Sequence, residues 1–199
     1  VTRARATPVL ARPQPFADHL DREGETSAVL AAAESASPVN VYAPSGAGKT
    51  YLLVHAANQR AAERSADGVV FIDATDAGRD DLLQLLFDEL YVSQPPSKPL
   101  PAEITRSLRE RQATVLVDGF ELHPDEAQRF FLAAGRSRFV VASRDRASWD
   151  GTAVRLGGLD TTSAGRASSA RAHHSVSPTP GVKRPRNTKP SPSSAASAS

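Results

Sequence analysis

Short, mostly apolar runs alternate along this chain with longer segments in which apolar residues recur at helical spacing. The runs lie at residues 39–42, 69–72, 115–117 and 139–142, and a fifth, weaker run covers 154–156. Strands that are apolar throughout must be covered on both faces, and strands that alternate with helices pair in parallel. The pattern predicts an α/β fold in which a mostly parallel five-stranded sheet lies between two layers of helices, a three-layer αβα sandwich.

The segments between these runs predict five helices. Each has apolar residues three or four positions apart, which places them on one side of a helix. Proline and glycine residues stand near several of the expected ends. The predicted spans are about 22–35, 49–64, 80–91, 102–111 and 124–134.

Charge and composition divide the 199 residues into a body and a tail. Residues 163–199 carry six cations and no acid, which leaves 18 cations against 22 acids in residues 1–162. This tail is rich in Ser, Ala and Pro and has too few apolar residues to form a core, so it is predicted to be disordered. We expect an extended lead-in over 1–15, one domain over 16–162 and a basic tail that binds nucleic acid only weakly.

Several classes of protein are excluded by what the sequence lacks. No apolar run approaches the roughly 18 residues of a membrane span. The chain has no Cys, which excludes a disulfide framework and a Cys-built zinc site,. No signal or targeting segment is predicted. A cytoplasmic protein without a membrane partner is expected.

The strongest functional signal is the sequence Ala-Pro-Ser-Gly-Ala-Gly-Lys-Thr at residues 43–50. It follows an apolar strand and opens a helix, as a phosphate-binding loop must. Two glycines let successive backbone N–H groups turn inward to form an anion site, while the lysine amine reaches the β- and γ-phosphates. The alternative is a Gly-rich turn with an incidental lysine. The predicted nucleotide-binding residues are Pro44, Ser45, Gly46, Ala47, Gly48, Lys49 and Thr50.

A magnesium site is predicted from two oxygen-bearing side chains. Thr50 ends the loop motif, and its hydroxyl is a typical ligand of Mg²⁺. Asp118 follows the apolar run 115–117, and the carboxyl ends of parallel strands are where ligands collect. Asp118 would therefore lie beside the loop and hold the metal directly or through water. The alternative is an ordinary aspartate at the end of a strand.

Two further residues are candidates for catalysis. Glu121 lies three positions after Asp118 and could orient the attacking water, because the position directly after Asp118 is Gly119 and carries no carboxylate,. Arg144 ends the run 139–142 and could stabilise charge on a γ-phosphate,. The alternatives are a solvated loop acid and a general surface charge.

With these motifs in place, the chain resembles the nucleotide-binding domain of the STAND class of P-loop ATPases, which are signalling relatives of AAA+ proteins and include NB-ARC domains. Residues 21–25, Asp-Arg-Glu-Gly-Glu, are similar to the Gly-Arg-Glu-x-Glu motif of that class. The resemblance covers about 16–159 and implies a P-loop NTPase fold. It also implies that Arg22 lies near the nucleotide base and that the loop strand stands between the 139–142 and 154–156 strands, with the Asp118 strand beyond.

The function predicted from these residues is binding of Mg-ATP with slow hydrolysis, in a protein of the signalling or regulatory ATPase type. Members of the class usually continue into a helical subdomain and a winged helix, whereas low-complexity sequence follows here. The alternative is therefore a non-hydrolysing adaptor or truncated regulatory fragment that acts through protein contacts, self-association or the basic tail.

Overall fold

The computed structural model describes residues 2–5, 9–16, 22–35, 37–59, 64–93 and 99–157. The predicted tail at 163–199 lies outside these residues, and the division of the chain into lead-in, domain and tail stays a prediction. Eight strands and five helices are formed within the described part. In chain order they are β1 (Thr2–Ala4), β2 (Val9–Ala11), α1 (Glu23–Ala33), β3 (Val39–Tyr42), α2 (Lys49–Ala57), β4 (Gly68–Asp73), α3 (Arg79–Leu90), β5 (Tyr91–Ser93), α4 (Pro101–Leu108), β6 (Thr114–Asp118), α5 (Pro124–Ala133), β7 (Arg138–Ser143) and β8 (Thr152–Arg155).

Six of the strands form one sheet in the order β2-β4-β6-β7-β3-β8. All of its neighbouring strands pair in parallel. The loop strand β3 lies between β7 and β8, with β6 beyond β7, so the predicted α/β class and the predicted strand order are confirmed. Strands β1 and β5 pair separately and are antiparallel.

The sheet has six strands where the sequence predicted five, because residues 9–11 join it as the edge strand β2. Val9 pairs with Gly68 and Ala11 with Val70. A three-residue strand gives no usable periodicity, and nearby prolines suggested an extended lead-in. The glycine at the start of β4 is what lets β2 approach, since a Cβ at Gly68 would lie 2.0 Å from the carbonyl oxygen of Val9.

Two hydrophobic cores cover the two faces of the sheet. Helices α1 and α2 pack on one face and α3, α4 and α5 on the other. Strand β6 shows how one apolar run serves both, because Leu116 belongs to the first core while Val115 and Val117 belong to the second. Alternation of side chains along a strand explains this division. It accounts for the fully apolar runs in the sequence and completes the three-layer arrangement.

The helices follow the predicted spans closely except for α2, which ends at Ala57 rather than near residue 64. Residues 60–63 lie outside the described part of the chain. Across the described ranges, we find no helix with the combination of length and apolar composition that a bilayer-crossing segment requires.

Candidate functional site

The loop between β3 and α2 curls because two of its residues are glycines in the left-handed region. Gly46 has φ of 80° and Gly48 has φ of 90°, a conformation that costs an L-residue roughly 1–2 kcal/mol. Gly48 is also the N-cap of α2 and offers no side-chain cap. The N–H groups of the first helical turn therefore point out of the helix start towards the loop, as in an anion site.

The Lys49 side chain folds back across the mouth of this loop. Its amine donates hydrogen bonds to the carbonyl oxygens of Ala43, at 2.6 Å, and Pro44, at 3.0 Å. Lys49, at the end of the loop, is thus bound to the two residues at its start, and its positive charge lies at the loop.

Thr50 and Asp118 lie side by side at the carboxyl edge of the sheet. The Thr50 hydroxyl donates a 2.5 Å hydrogen bond to Oδ2 of Asp118, while Oδ1 accepts one from the N–H of Gly119 at 3.1 Å. A hydroxyl and a carboxylate are hard oxygen ligands of the kind Mg²⁺ prefers. The chemistry of this pair therefore fits the metal that the sequence predicted.

Glu121 and Arg144 form a second pair at the same edge. The backbone N–H of Arg144 donates to Oε1 of Glu121 at 3.0 Å, and the guanidinium Nε lies 3.7 Å from the same oxygen. Their side chains are 47% and 72% exposed, respectively. An ion pair this exposed contributes little stability, so both groups stay available to a ligand.

A cleft of about 440 Å³ joins these features. It opens at the carboxyl ends of β3, β4, β6 and β7, where a parallel α/β sheet places its ligands. Six of the residues predicted from the sequence line it, namely Ser45, Lys49, Thr50, Asp118, Glu121 and Arg144. Their catalytic, nucleotide-binding and metal-binding roles stay predictions.

The loop after β4 forms the remaining wall of the cleft and was not predicted from the sequence. Thr75 and Asp76 line the cleft, and Asp76 has φ of 60°. Asp73 anchors the loop by accepting hydrogen bonds from the hydroxyl of Thr75, at 2.6 Å, and from its N–H, at 3.0 Å. These bonds, the side-chain one first, lower the pKa of Asp73 from its usual value. The available signal was that Asp73 ends its strand as Asp118 does.

Arg22 contacts the loop at Ala47 and is not among the residues that line the cleft. Its side chain is 1% exposed. Nη1 bonds to Oε1 of Glu25 at 2.9 Å, and Nη2 donates to the carbonyl oxygens of Ala47 and Gly157 at 3.1 and 3.2 Å. Arg22 therefore fastens the loop to the segment after β8, and its contact with a nucleotide base stays a prediction.

Comparison with known proteins gives one family and several structural likenesses. The family model described as AAA domain matches residues 32–144. A Signal Transduction ATPase with Numerous Domains (STAND) protein with a tetratricopeptide repeat sensor, from Pyrococcus horikoshii, aligns over 86% of this chain and 28% of its own, at 16% identity and a TM-score of 0.54. Domain III of the replication initiation protein DnaA from Thermotoga maritima aligns over 88% of this chain and 78% of its own, at 15% identity and a TM-score of 0.47.

The chain thus spans less than a third of the length of the STAND protein, and the likeness to it concerns the fold alone. No match was found among the curated proteins.

Proposed function

The chain belongs to the AAA domain family, and from this premise we propose that it binds Mg-ATP in the cleft at the carboxyl edge of its sheet and hydrolyses it slowly. The AAA domain and its P-loop fold suggest nucleotide binding. The choice of ATP, the presence of Mg²⁺ and the turnover are the parts we add.

The observation that carries the proposal is the meeting of the loop with the end of β6. The hydroxyl oxygen of Thr50 lies 2.5 Å from Oδ2 of Asp118, and Lys49 lines the same cleft. A triphosphate seated on the N–H groups near Gly46 and Gly48 would have its charge balanced by the lysine amine. The Thr50 and Asp118 oxygens would hold a magnesium ion, which neutralises charge on the phosphates when it is bound.

Arg144 supports a preference for a triphosphate over a diphosphate. Its exposed guanidinium lines the cleft beside Glu121, at the end of the strand that neighbours the loop strand β3. A cation at that place would interact with a terminal phosphate and with charge that develops during its transfer. Glu121 would orient or deprotonate the attacking water.

The same residues favour slow turnover. Gly119 directly follows Asp118 and has no group to activate water. The nearest candidate, Glu121, has one carboxylate oxygen already bonded to the N–H of Arg144. That bond occupies one of the two carboxylate oxygens and leaves the other to orient water, so hydrolysis is expected to be limited by this residue,.

The proposal is tested by measuring the affinity for Mg-ATP calorimetrically in the parent protein and in Lys49→Ala. Loss of a charge-assisted contact with the phosphates should weaken binding by about tenfold to a hundredfold. The matched control is Arg64→Ala, because Arg64 is an exposed cation whose partner is Glu34. Equal affinities of the parent and Lys49→Ala would contradict the proposal.

A second candidate function is that of an adaptor that binds nucleotide without turning it over. The glycine after Asp118 is the observation that favours it. A steady-state phosphate-release assay separates the two candidates, with Glu121→Gln as the comparison. Release that is faster in the parent than in Glu121→Gln supports the slow ATPase, whereas saturable binding without release supports the adaptor.

A further inference from the structure

Asn40 is a buried amide in the middle of the loop strand β3. It is 1% exposed, and its neighbours Val39 and Val41 are fully buried. A strand at this position in a parallel sheet is covered on both faces, and an amide there costs free energy unless both of its polar groups are hydrogen-bonded. The residue is therefore best explained by the hydrogen bonds that it makes.

Both polar groups of Asn40 bond to the segment at the end of β7. Nδ2 donates to the hydroxyl of Ser143 at 2.7 Å, and Oδ1 accepts from the N–H of Ala147 at 2.9 Å. The Ser143 hydroxyl in turn donates to the carbonyl oxygen of Asp145 at 2.6 Å. One buried side chain thus ties together both ends of the turn formed by residues 143–147.

This turn contains Arg144, whose backbone in turn positions Glu121. The N–H of Arg144 holds the Glu121 carboxylate at 3.0 Å. The carbonyl oxygen of Ser143 also accepts from the N–H of Ala43, which begins the phosphate loop. Because the Arg144 and Glu121 side chains are themselves exposed and weakly paired, the backbone of the turn sets where both groups stand relative to the cleft,.

We infer that Asn40 is a positioning residue for recognition of the terminal phosphate. It acts through Ser143 and Ala147 on the turn that presents Arg144, and it contacts the nucleotide itself at no point. This inference rests on the proposed function and adds to it, because it assigns discrimination between a triphosphate and a diphosphate to a buried residue behind the cleft.

The test compares affinities for a non-hydrolysable Mg-ATP analogue and for Mg-ADP in the parent, Asn40→Leu and Ser143→Ala. Loosening the turn should lower affinity for the analogue by about tenfold, since small misplacement of a reacting group is costly. Affinity for ADP should stay within about twofold, because the loop and Lys49 are untouched. The two substitutions break one shared link, so their effects in a double variant should be less than additive.

Thr114→Val is the matched control for a general loss of stability. Thr114 is likewise a buried polar strand residue, 2% exposed, and its hydroxyl pairs with that of Ser65 at 2.8 Å. It lies at the opposite end of β6 from Asp118. Its removal should lower the melting temperature and leave the ratio of the two affinities unchanged.

The outcomes separate this inference from the proposed function. If the parent prefers the analogue to ADP and both Asn40→Leu and Ser143→Ala keep that preference, the inference is wrong while nucleotide binding stands. A parent that binds the two equally overturns the inference and the triphosphate preference given to Arg144 while nucleotide binding stands, and a parent that binds neither overturns the proposed function as well. If Asn40→Leu does not fold, Ser143→Ala decides, because it breaks the same link with a smaller change.

Discussion

The hydroxyl of Thr50 donates a 2.5 Å hydrogen bond to the carboxylate of Asp118, although the two residues are 68 positions apart in the chain. Thr50 is the second residue of helix α2, and Asp118 is the last residue of strand β6. Such a contact follows from the parallel sheet, which brings the carboxyl ends of β3 and β6 to the same edge. The pair is the centre of the candidate site, and its chemistry makes a direct prediction.

Changing either side chain of this pair should weaken the magnesium dependence of nucleotide binding. In Thr50→Val and in Asp118→Asn, we expect affinity for ATP with Mg²⁺ to fall by about tenfold, the loss of one charge-assisted contact. Affinity in EDTA should change little. Because both side chains would hold one ion, the double variant should lose less than the sum of the single losses. Calorimetric titrations with and without Mg²⁺ measure these values.

Asp88→Asn is the control for loss of an acid elsewhere. Asp88 is an exposed carboxylate on helix α3 that accepts from Gln84. Its replacement should leave the magnesium dependence of ATP affinity as it is in the parent. An undiminished magnesium dependence in Thr50→Val and Asp118→Asn would show that these oxygens hold no metal.

Arg22 should be needed for folding stability as well as for the shape of the loop. Replacing it with Met leaves the carbonyl oxygens of Ala47 and Gly157 without this donor, and Glu25 without its ion-pair partner. We expect the free energy of unfolding to drop by about 2–3 kcal/mol, measured by urea denaturation. Arg22→Lys should rescue little of it, because an ammonium cannot reproduce the fork of a guanidinium.

Arg64→Met is the comparison for this experiment. Arg64 is 66% exposed, so its replacement should change the free energy of unfolding by less than about 0.5 kcal/mol. If Arg22→Met were no more destabilising than Arg64→Met, the assignment of Arg22 as a fastening between the loop and the segment after β8 would be wrong.

Much of the fold was predictable because its signals are local. Apolar runs such as 115–117 predict buried strands, and the spacing of leucines in α3 predicts a helix. The resemblance carried by residues 21–25, the loop at 43–50 and the strands that lead to Asp118 and Arg144 is confirmed at the level of a P-loop AAA+-type nucleotide-binding domain. Strand β2 escaped prediction because three residues fix no period, and its place depends on Gly68, which is distant in the chain.

Residues of the candidate site could be predicted where the rule for parallel sheets places them. They could not be predicted where long-range side-chain contacts determine their position. The loop and Asp118 could be brought together from the sequence because parallel strands end at one edge. The position of Arg22 against the loop could not, since it depends on a carbonyl 135 residues away. Asn40 could not be singled out from the sequence either, because its amide groups bond to residues more than a hundred positions distant.

Gly68 should be required for β2 to join the sheet. In Gly68→Ala, the new Cβ would lie 2.0 Å from the carbonyl oxygen of Val9, and φ of 89° adds strain of roughly 1–2 kcal/mol,. We expect β2 to leave β4, with faster hydrogen exchange at the N–H of Val9, which bonds to the carbonyl oxygen of Asp67 in the parent.

Gly24→Ala is the matched glycine substitution. Gly24 lies in helix α1, and a Cβ there meets nothing within 4 Å. Alanine should stabilise the helix by about 0.5 kcal/mol and leave exchange at Val9 unchanged. Exchange at Val9 that is equally slow in Gly68→Ala and the parent would contradict the role given to Gly68.

Protonation of Asp73 should lower the free energy of unfolding in acid, and Asp73→Asn should lack this contribution. Hydrogen bonds from Thr75 lower the pKa of Asp73 below its usual value, so the unfolded chain takes up the proton before the folded one does. The stabilisation is therefore complete well above pH 4 and is lost as pH falls through the folded pKa, at about pH 4 and below. Urea denaturation of the parent and Asp73→Asn, measured from about pH 6 downward, should give free energies of unfolding whose difference shrinks in that window.

Thr75→Val removes the largest cause of the lowered pKa of Asp73. In this variant the free energy of unfolding should fall less with acid than in the parent, whereas in Asp88→Asn it should fall as in the parent. A constant difference between the parent and Asp73→Asn across the window would mean that the Thr75 bonds do not favour the charged carboxylate, and that the cleft wall formed by residues 74–77 is held in place by other contacts.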